Sequence, residues 1–106
     1  MNLILTTKRV EKMEKSFDAC SKASKDLADA IDNYKKVLAD FATLAEYYDG
    51  GEWKNDYEAD EKGLIPASVK RGVLSQDGLY DLLSGNKELT VEMLKLLTQM
   101  AEQGIR

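Results

Sequence analysis

Apolar residues recur along the first half of the chain at Val10, Met13, Phe17, Cys20, Leu27, Ile31, Tyr34, Leu38, Phe41, Ala45 and Tyr48, with Ser24 as the polar exception. The steps alternate strictly between three and four, and only an α-helix brings residues at that spacing to one face. Neither Gly nor Pro occurs between residues 6 and 49. The pattern therefore predicts one continuous helix, with Thr6 as its N-cap, Leu5 and Val10 as a hydrophobic staple, and Gly50-Gly51 as its stop. The seam mixes aromatics, Met, Cys and Ser where a two-stranded zipper prefers Ile, Val and Leu, so bundle packing is the expected use. Ala23, Ala30, Val37 and Leu44 widen the stripe, which places the densest core along the second half of this helix.

The rest of the chain is punctuated more often. Residues 52–62 read as a short acidic helix with Trp53 and Tyr57 on one face and Gly63 as terminator. Pro66 suits the first position of a single turn over residues 67–71, closed by Gly72. Ser75 is expected to cap a helix ending near Ser84 and Gly85, with Asp77 in its first turn and Leu74 and Leu79 as a staple. A last helix starts after Asn86 or, with Leu89 and Leu94 as a staple about Thr90, four residues later, and runs to about Gln103. Laid end to end these two helices reach roughly 39 Å, against about 57 Å for residues 10 to 48. The expected fold is thus all-α and a single domain over residues 1–106. A long N-terminal helix carries shorter helices packed antiparallel on it, as a helical hairpin or bundle over residues 27–48. A second copy covers residues 10–20, making a homodimer through the N-terminal helix.

Composition removes several classes of chemistry. With 106 residues, 43% hydrophobic and 32% charged, the chain suffices for one packed domain and is not a disordered one. The absence of His excludes imidazole bases, Ser-His-Asp and Cys-His nucleophiles and His-ligated zinc. One Cys excludes an internal disulfide, and Cys20, lying on the seam, is expected to be a small buried hydrophobe. No uninterrupted apolar run exceeds three residues, as at Leu3, Ile4 and Leu5, so no membrane span and no signal-peptide core is expected. A cytoplasmic location is the expectation that follows.

The net charge is −4, but residues 46–61 carry seven acids (Glu46, Asp49, Glu52, Asp56, Glu58, Asp60 and Glu61) against Lys54 alone. Such a field repels nucleic-acid phosphates and anionic membranes, so no direct nucleic-acid binding is expected, and it attracts a cationic protein or a metal ion.

Tyr47-Tyr48, WKNDYEADEKG at 53–63 and KRGVLSQDGLYDLL at 70–83 resemble the motifs of a family of small helical bacterial proteins, the domain of unknown function DUF4298. The resemblance covers nearly the whole chain, its specific part being the two central motifs. Gln76 and Gly78 depart from the pattern, where an acid and Ala are expected. The resemblance implies an all-helical fold and carries no catalytic residue, cofactor or activity.

Three constellations remain. Glu46-x-x-Asp49 and Glu58-x-x-Glu61 place carboxylates in pairs three apart, a spacing that can hold Mg²⁺ or Mn²⁺ in helical nucleotide pyrophosphatases. That chemistry needs both pairs on long facing helices, whereas the first pair ends one helix and the second lies on a short connector, so a solvated acidic surface is the simpler expectation. Asp56 and Asp60 precede Lys70 and Arg71, and Asp56 with Arg71 is the expected structural pair. Trp53 and Tyr57, with Tyr47, Tyr48 and Tyr80, set aromatics among the acids, either as packing or as a protein-binding patch. Asp49-Gly50-Gly51-Glu52 lacks the Lys and Ser or Thr of a phosphate loop. No catalytic or cofactor-binding residue is assigned. The candidate partner-binding residues are Trp53, Asp56, Tyr57, Asp60 and Arg71. The expected function is a non-enzymatic protein-interaction module acting through this acidic and aromatic segment, its partner unidentified. The alternatives are a divalent-metal-dependent nucleotide hydrolase and an acidic DNA-mimic inhibitor.

Overall fold

A computed structural model describes residues 2–104. Helix α1 spans Leu3–Asp49, α2 Glu52–Glu61 and α3 Gly78–Glu102, with a 3-10 turn at Gly72–Leu74 before α3. The fold is all-α with a long N-terminal helix, as the seam and its glycine stop require. The chain divides into two compact units, residues 1–39 and 40–106.

The first unit is helical from Leu3 onward. Its cap is Asn2 and not Thr6. The Asn2 Oδ1 accepts the N–H of Ile4 at 3.0 Å and of Leu5 at 3.2 Å, the orphan amides that a capping side chain satisfies. Thr6 lies inside the helix and its hydroxyl donates back to the Asn2 carbonyl at 3.1 Å. Lys22 and Asp26 pair one turn apart at 2.5 Å, both well exposed. Cys20 is exposed, so the expectation of a buried thiol is corrected. Leu27, Ile31 and Leu38 remain 49%, 46% and 60% exposed, and the densest packing does not lie along this part of α1.

The second unit is organised around a different point. Phe41, Leu44, Ala45, Tyr47 and Tyr48 are half-buried at the end of α1. The helix stops where predicted: the Gly50 N–H still reaches the Glu46 carbonyl at 2.9 Å, and Gly51 takes the left-handed conformation, φ 91°. There the glycine is a requirement, because a Cβ would strain the backbone. Helix α2 ends in a Schellman motif. Gly63 at φ 71° donates to the Asp60 carbonyl at 3.0 Å and Leu64 to that of Ala59 at 3.0 Å. A turn closed by Val69 N–H on the Pro66 carbonyl, 3.0 Å, then leads to the 3-10 turn, which Gly72 opens and does not close. Leu74 and Leu79, the expected staple pair, are the buried hydrophobic side chains among the described residues, at 6% and 3% exposure.

Two expectations about α3 are corrected. Ser75 does not cap it, since its hydroxyl donates to the Gly72 carbonyl at 2.9 Å and closes the preceding turn, while Asp77 holds the cap position without a side-chain hydrogen bond. Nor is there a break at Ser84-Gly85-Asn86: α3 runs through them for 25 residues. Thr90 does not start a helix but sits inside one, its hydroxyl donating to the Asn86 carbonyl at 3.0 Å. A single glycine costs a helix only about 1 kcal/mol, which the helix-forming residues on either side of Gly85 outweigh.

Gly78 opens α3 at a close approach. A Cβ there would collide with the Ser75 Oγ and lie 3.3 Å from the Gly72 carbonyl oxygen. Gly78→Ala should therefore displace the Ser75 hydroxyl from its acceptor and cancel the gain of about 1 kcal/mol that Ala brings to a helix. In a Ser75→Ala background the same change should be less costly, giving a coupling of about 1 kcal/mol in a double-mutant cycle followed by urea denaturation.

Candidate interaction site

The acidic segment is built at the junction of α1 and α2, where two glycines turn the chain. Because Tyr47 and Tyr48 are adjacent on a helix, about 100° apart, they leave α1 in different directions and meet different partners. Tyr48 lies 5.0 Å from Trp53, ring centroid to centroid, and 6.4 Å from Tyr80 of α3. Trp53 in turn stacks on Tyr57, one helical turn further along α2, at 5.1 Å and 21° between planes. Such tilted and offset pairs contribute about 0.5–1.5 kcal/mol each beyond the area they cover. The Trp53 indole N–H donates to the Val73 carbonyl at 2.8 Å, tying α2 to the 3-10 turn.

The acids are used unequally. Arg71 donates to Asp60 at 2.8 Å, and Asp56 accepts the Tyr47 hydroxyl at 2.5 Å. The expected Asp56–Arg71 pair is thus replaced: the arginine takes the carboxylate one turn later on α2, and Asp56 faces back to α1. Burial, the hydrogen bond to Asp56 and the charges of Asp56 and Glu52 push the Tyr47 hydroxyl up to about 12. The Tyr57 hydroxyl is also raised, chiefly by the charge of Glu61 and the hydrogen bond to it, then by burial and the charges of Asp77 and Asp60. Glu46, Asp49, Glu52 and Glu58 are exposed. Among the described residues no three acidic or thiol side chains gather to hold a metal ion, so Glu46, Asp49, Glu58 and Glu61 are not brought into one ligand set.

Of the candidate residues, Trp53, Asp56, Tyr57, Asp60 and Arg71 all fall within this unit, with Tyr47, Tyr48 and Tyr80 added by their ring and hydroxyl contacts. The Tyr47–Asp56 bond and the Val73 acceptor were not foreseen. The usable signal for the second was general, since a half-buried indole N–H needs an acceptor and a backbone carbonyl outside the long helices can supply one. Among the described residues no helix is long and apolar enough to cross a membrane.

The family model described as "Domain of unknown function (DUF4298)" matches residues 10–96. No curated protein and no solved structure matches the chain.

Two outcomes check this geometry. Exchanging the charges as Asp60→Arg with Arg71→Asp should recover part of the stability lost by either change alone, whereas Asp56→Arg with Arg71→Asp should recover none. Thermal melts of the six proteins decide it. Since the folded-state Tyr47 hydroxyl ionises near 12 against about 10 when unfolded, its contribution is present below pH 10 and lost as pH rises to 12. Tyr47→Phe should therefore be less stable than wild type at neutral pH, and the gap should close between pH 10 and 12, as read by the fluorescence of the single Trp during denaturation.

Proposed function

As the chain belongs to the DUF4298 family, whose activity is unknown, its function has to be read from its own surface, and we propose that it is a protein-interaction module that docks a cationic partner on the acidic and aromatic segment of residues 46–61. The observation that carries this reading is the unequal use of its acids. Among the described residues, Asp60 is the one member of the seven with a cationic partner, while Glu46, Asp49, Glu52 and Glu58 are exposed on the segment that carries the half-buried Trp53 and Tyr57. Tyr80, beside Tyr48, is also exposed. Rigid aromatics are the anchors of binding hot spots, exposed carboxylates steer a cationic partner toward them, and the rings here are already held in place by one another and by the Val73 carbonyl. A docked partner would therefore lose little of its binding energy to ordering this surface.

Capture from cell extract at low salt provides the test. A partner should be retained by the wild type and released by salt, and it should be lost with the triple change Glu46→Gln, Glu52→Gln and Glu58→Gln, which leaves the Arg71, Tyr47 and Trp53 contacts intact. Recovery of the same partners by the neutralised protein would refute the reading. Duplex DNA added to the same capture separates the DNA-mimic variety of partner, which it displaces, from any other.

A further inference from the structure

The exposed seam of α1 has a second pattern laid over it, in charge. Between residues 8 and 25 the helix carries six basic residues against Glu11, Glu14 and Asp18; between residues 26 and 49 it carries six acids against Lys35 and Lys36. The sign changes between Lys25 and Asp26, and within residues 13–38 it is the change from +1 to −1, with the larger imbalance at residues 8–12 and 40–49. A helix with opposite ends of opposite charge is complementary to itself only when two copies run in opposite directions. We propose that residues 13–38 of α1 pair with the same stretch of a second copy as an antiparallel coiled coil whose twofold axis falls at that change of sign.

The register follows from the seam. With the axis between Lys25 and Asp26, residue numbers facing one another sum to 51, and every seam position then meets another seam position: Met13 faces Leu38, Phe17 faces Tyr34, Cys20 faces Ile31 and Ser24 faces Leu27. Each of the two smallest seam residues is thereby set against a large aliphatic one. A parallel, in-register pair would instead stack Cys20 on itself and Ser24 on itself, leaving two under-filled layers next to each other, and Phe17 on itself in an overfilled one. At the flanks, where like positions of the two helices adjoin two residues off the facing one, the antiparallel register sets Glu14 beside Lys35 on each side, an attractive pair made twice, with only small residues (Ser21 and Ala28; Ala23 and Ala30) at the flanking positions nearest the axis.

The area suffices. Met13, Phe17, Leu27, Ile31, Tyr34 and Leu38 are 36 to 65% exposed, which leaves roughly 550 Å² open on each copy and about 1,100 Å² on two, at the lower bound of a specific interface of about 1,000 Å². The exposed leucines of α3, by contrast, lie among charges of both signs with no gradient along the helix, so nothing there identifies an occupant.

The single native thiol makes the orientation testable. In the antiparallel register Cys20 faces position 31 of the other copy, so the wild-type protein should sediment as a dimer yet give no cross-linked dimer on mild oxidation, whereas Ile31→Cys should oxidise almost completely to a covalent dimer. Glu14→Lys should weaken dimerisation about tenfold at low salt, and adding Lys35→Glu should restore it, with helix content by circular dichroism unchanged throughout. A monomer at 100-fold the concentration of a micromolar dissociation constant, about 0.1 mM, would overturn the proposal. So would a wild-type dimer cross-linked through Cys20 itself, which is the parallel arrangement, or a dimer indifferent to both charge changes.

Discussion

The Trp53 indole makes three contacts that would otherwise have to come from a core. Its ring lies against Tyr48 at 5.0 Å and Tyr57 at 5.1 Å, and its N–H donates to the Val73 carbonyl at 2.8 Å. The first contact joins α2 to α1, the second stiffens α2 on its own face, and the third fixes the segment that leads into α3. Between Gly63 and Gly78 the described chain has one 3-10 turn and one Pro66–Val69 turn as regular structure. Its order therefore depends on side chains reaching in from α2: the indole on Val73, and Asp60 on Arg71. With Leu74 and Leu79 as the buried hydrophobic side chains of the described residues, apolar burial contributes little here, and a few well-placed polar and aromatic contacts hold the unit instead. That is the expected solution for a small domain with little interior.

The parts of this architecture that could be read from residues alone are those governed by local chemistry. The seam from Val10 to Tyr48 specifies a helix because 3.6-residue periodicity has no other backbone solution. Gly50-Gly51 and Gly63 specify stops because a left-handed residue follows the last turn at each. Local chemistry also misled where two readings of one residue competed. Ser75 can cap a helix or close a 3-10 turn, and the Gly72 carbonyl three residues back decided it. Ser84-Gly85-Asn86 has the composition of a turn, yet helix propagation from both sides costs less than two new ends. Thr90, which resembles a cap, donates backward to Asn86 as threonines do within helices.

The site was legible in membership and not in pairing. Asp56 and Asp60 lie four apart on one face of α2, so spacing could not choose between them as the partner of Arg71. The choice depends on where the chain after Pro66 returns to α2, which is a tertiary matter. Likewise Tyr47 and Tyr48 look equivalent in sequence, and only the angle at which α2 leaves Gly51 gives one a carboxylate and the other an indole. Acids at 46, 49, 58 and 61 could be arranged as a ligand set on paper by their spacing. Spacing along separate helices says nothing about convergence, and among the described residues they do not converge.

Two surfaces of different chemistry result, and their separation along the chain lets them serve different ends. The seam of residues 13–38 is apolar with small flanks, whereas residues 46–61 are acidic and aromatic. A long helix with its apolar stripe in water is a costly arrangement, because exposed patches of this extent drive association. Self-association that brought two acidic segments side by side would add their repulsion to that cost, since each carries −6 over residues 46–61. The antiparallel pair proposed for residues 13–38 would cover that stripe with a second copy of itself. In the proposed pair, the orientation that would set unlike halves of α1 against one another is the one that the acidity of residues 46–61 also favours, because a parallel pair would start the two acidic segments from the same end.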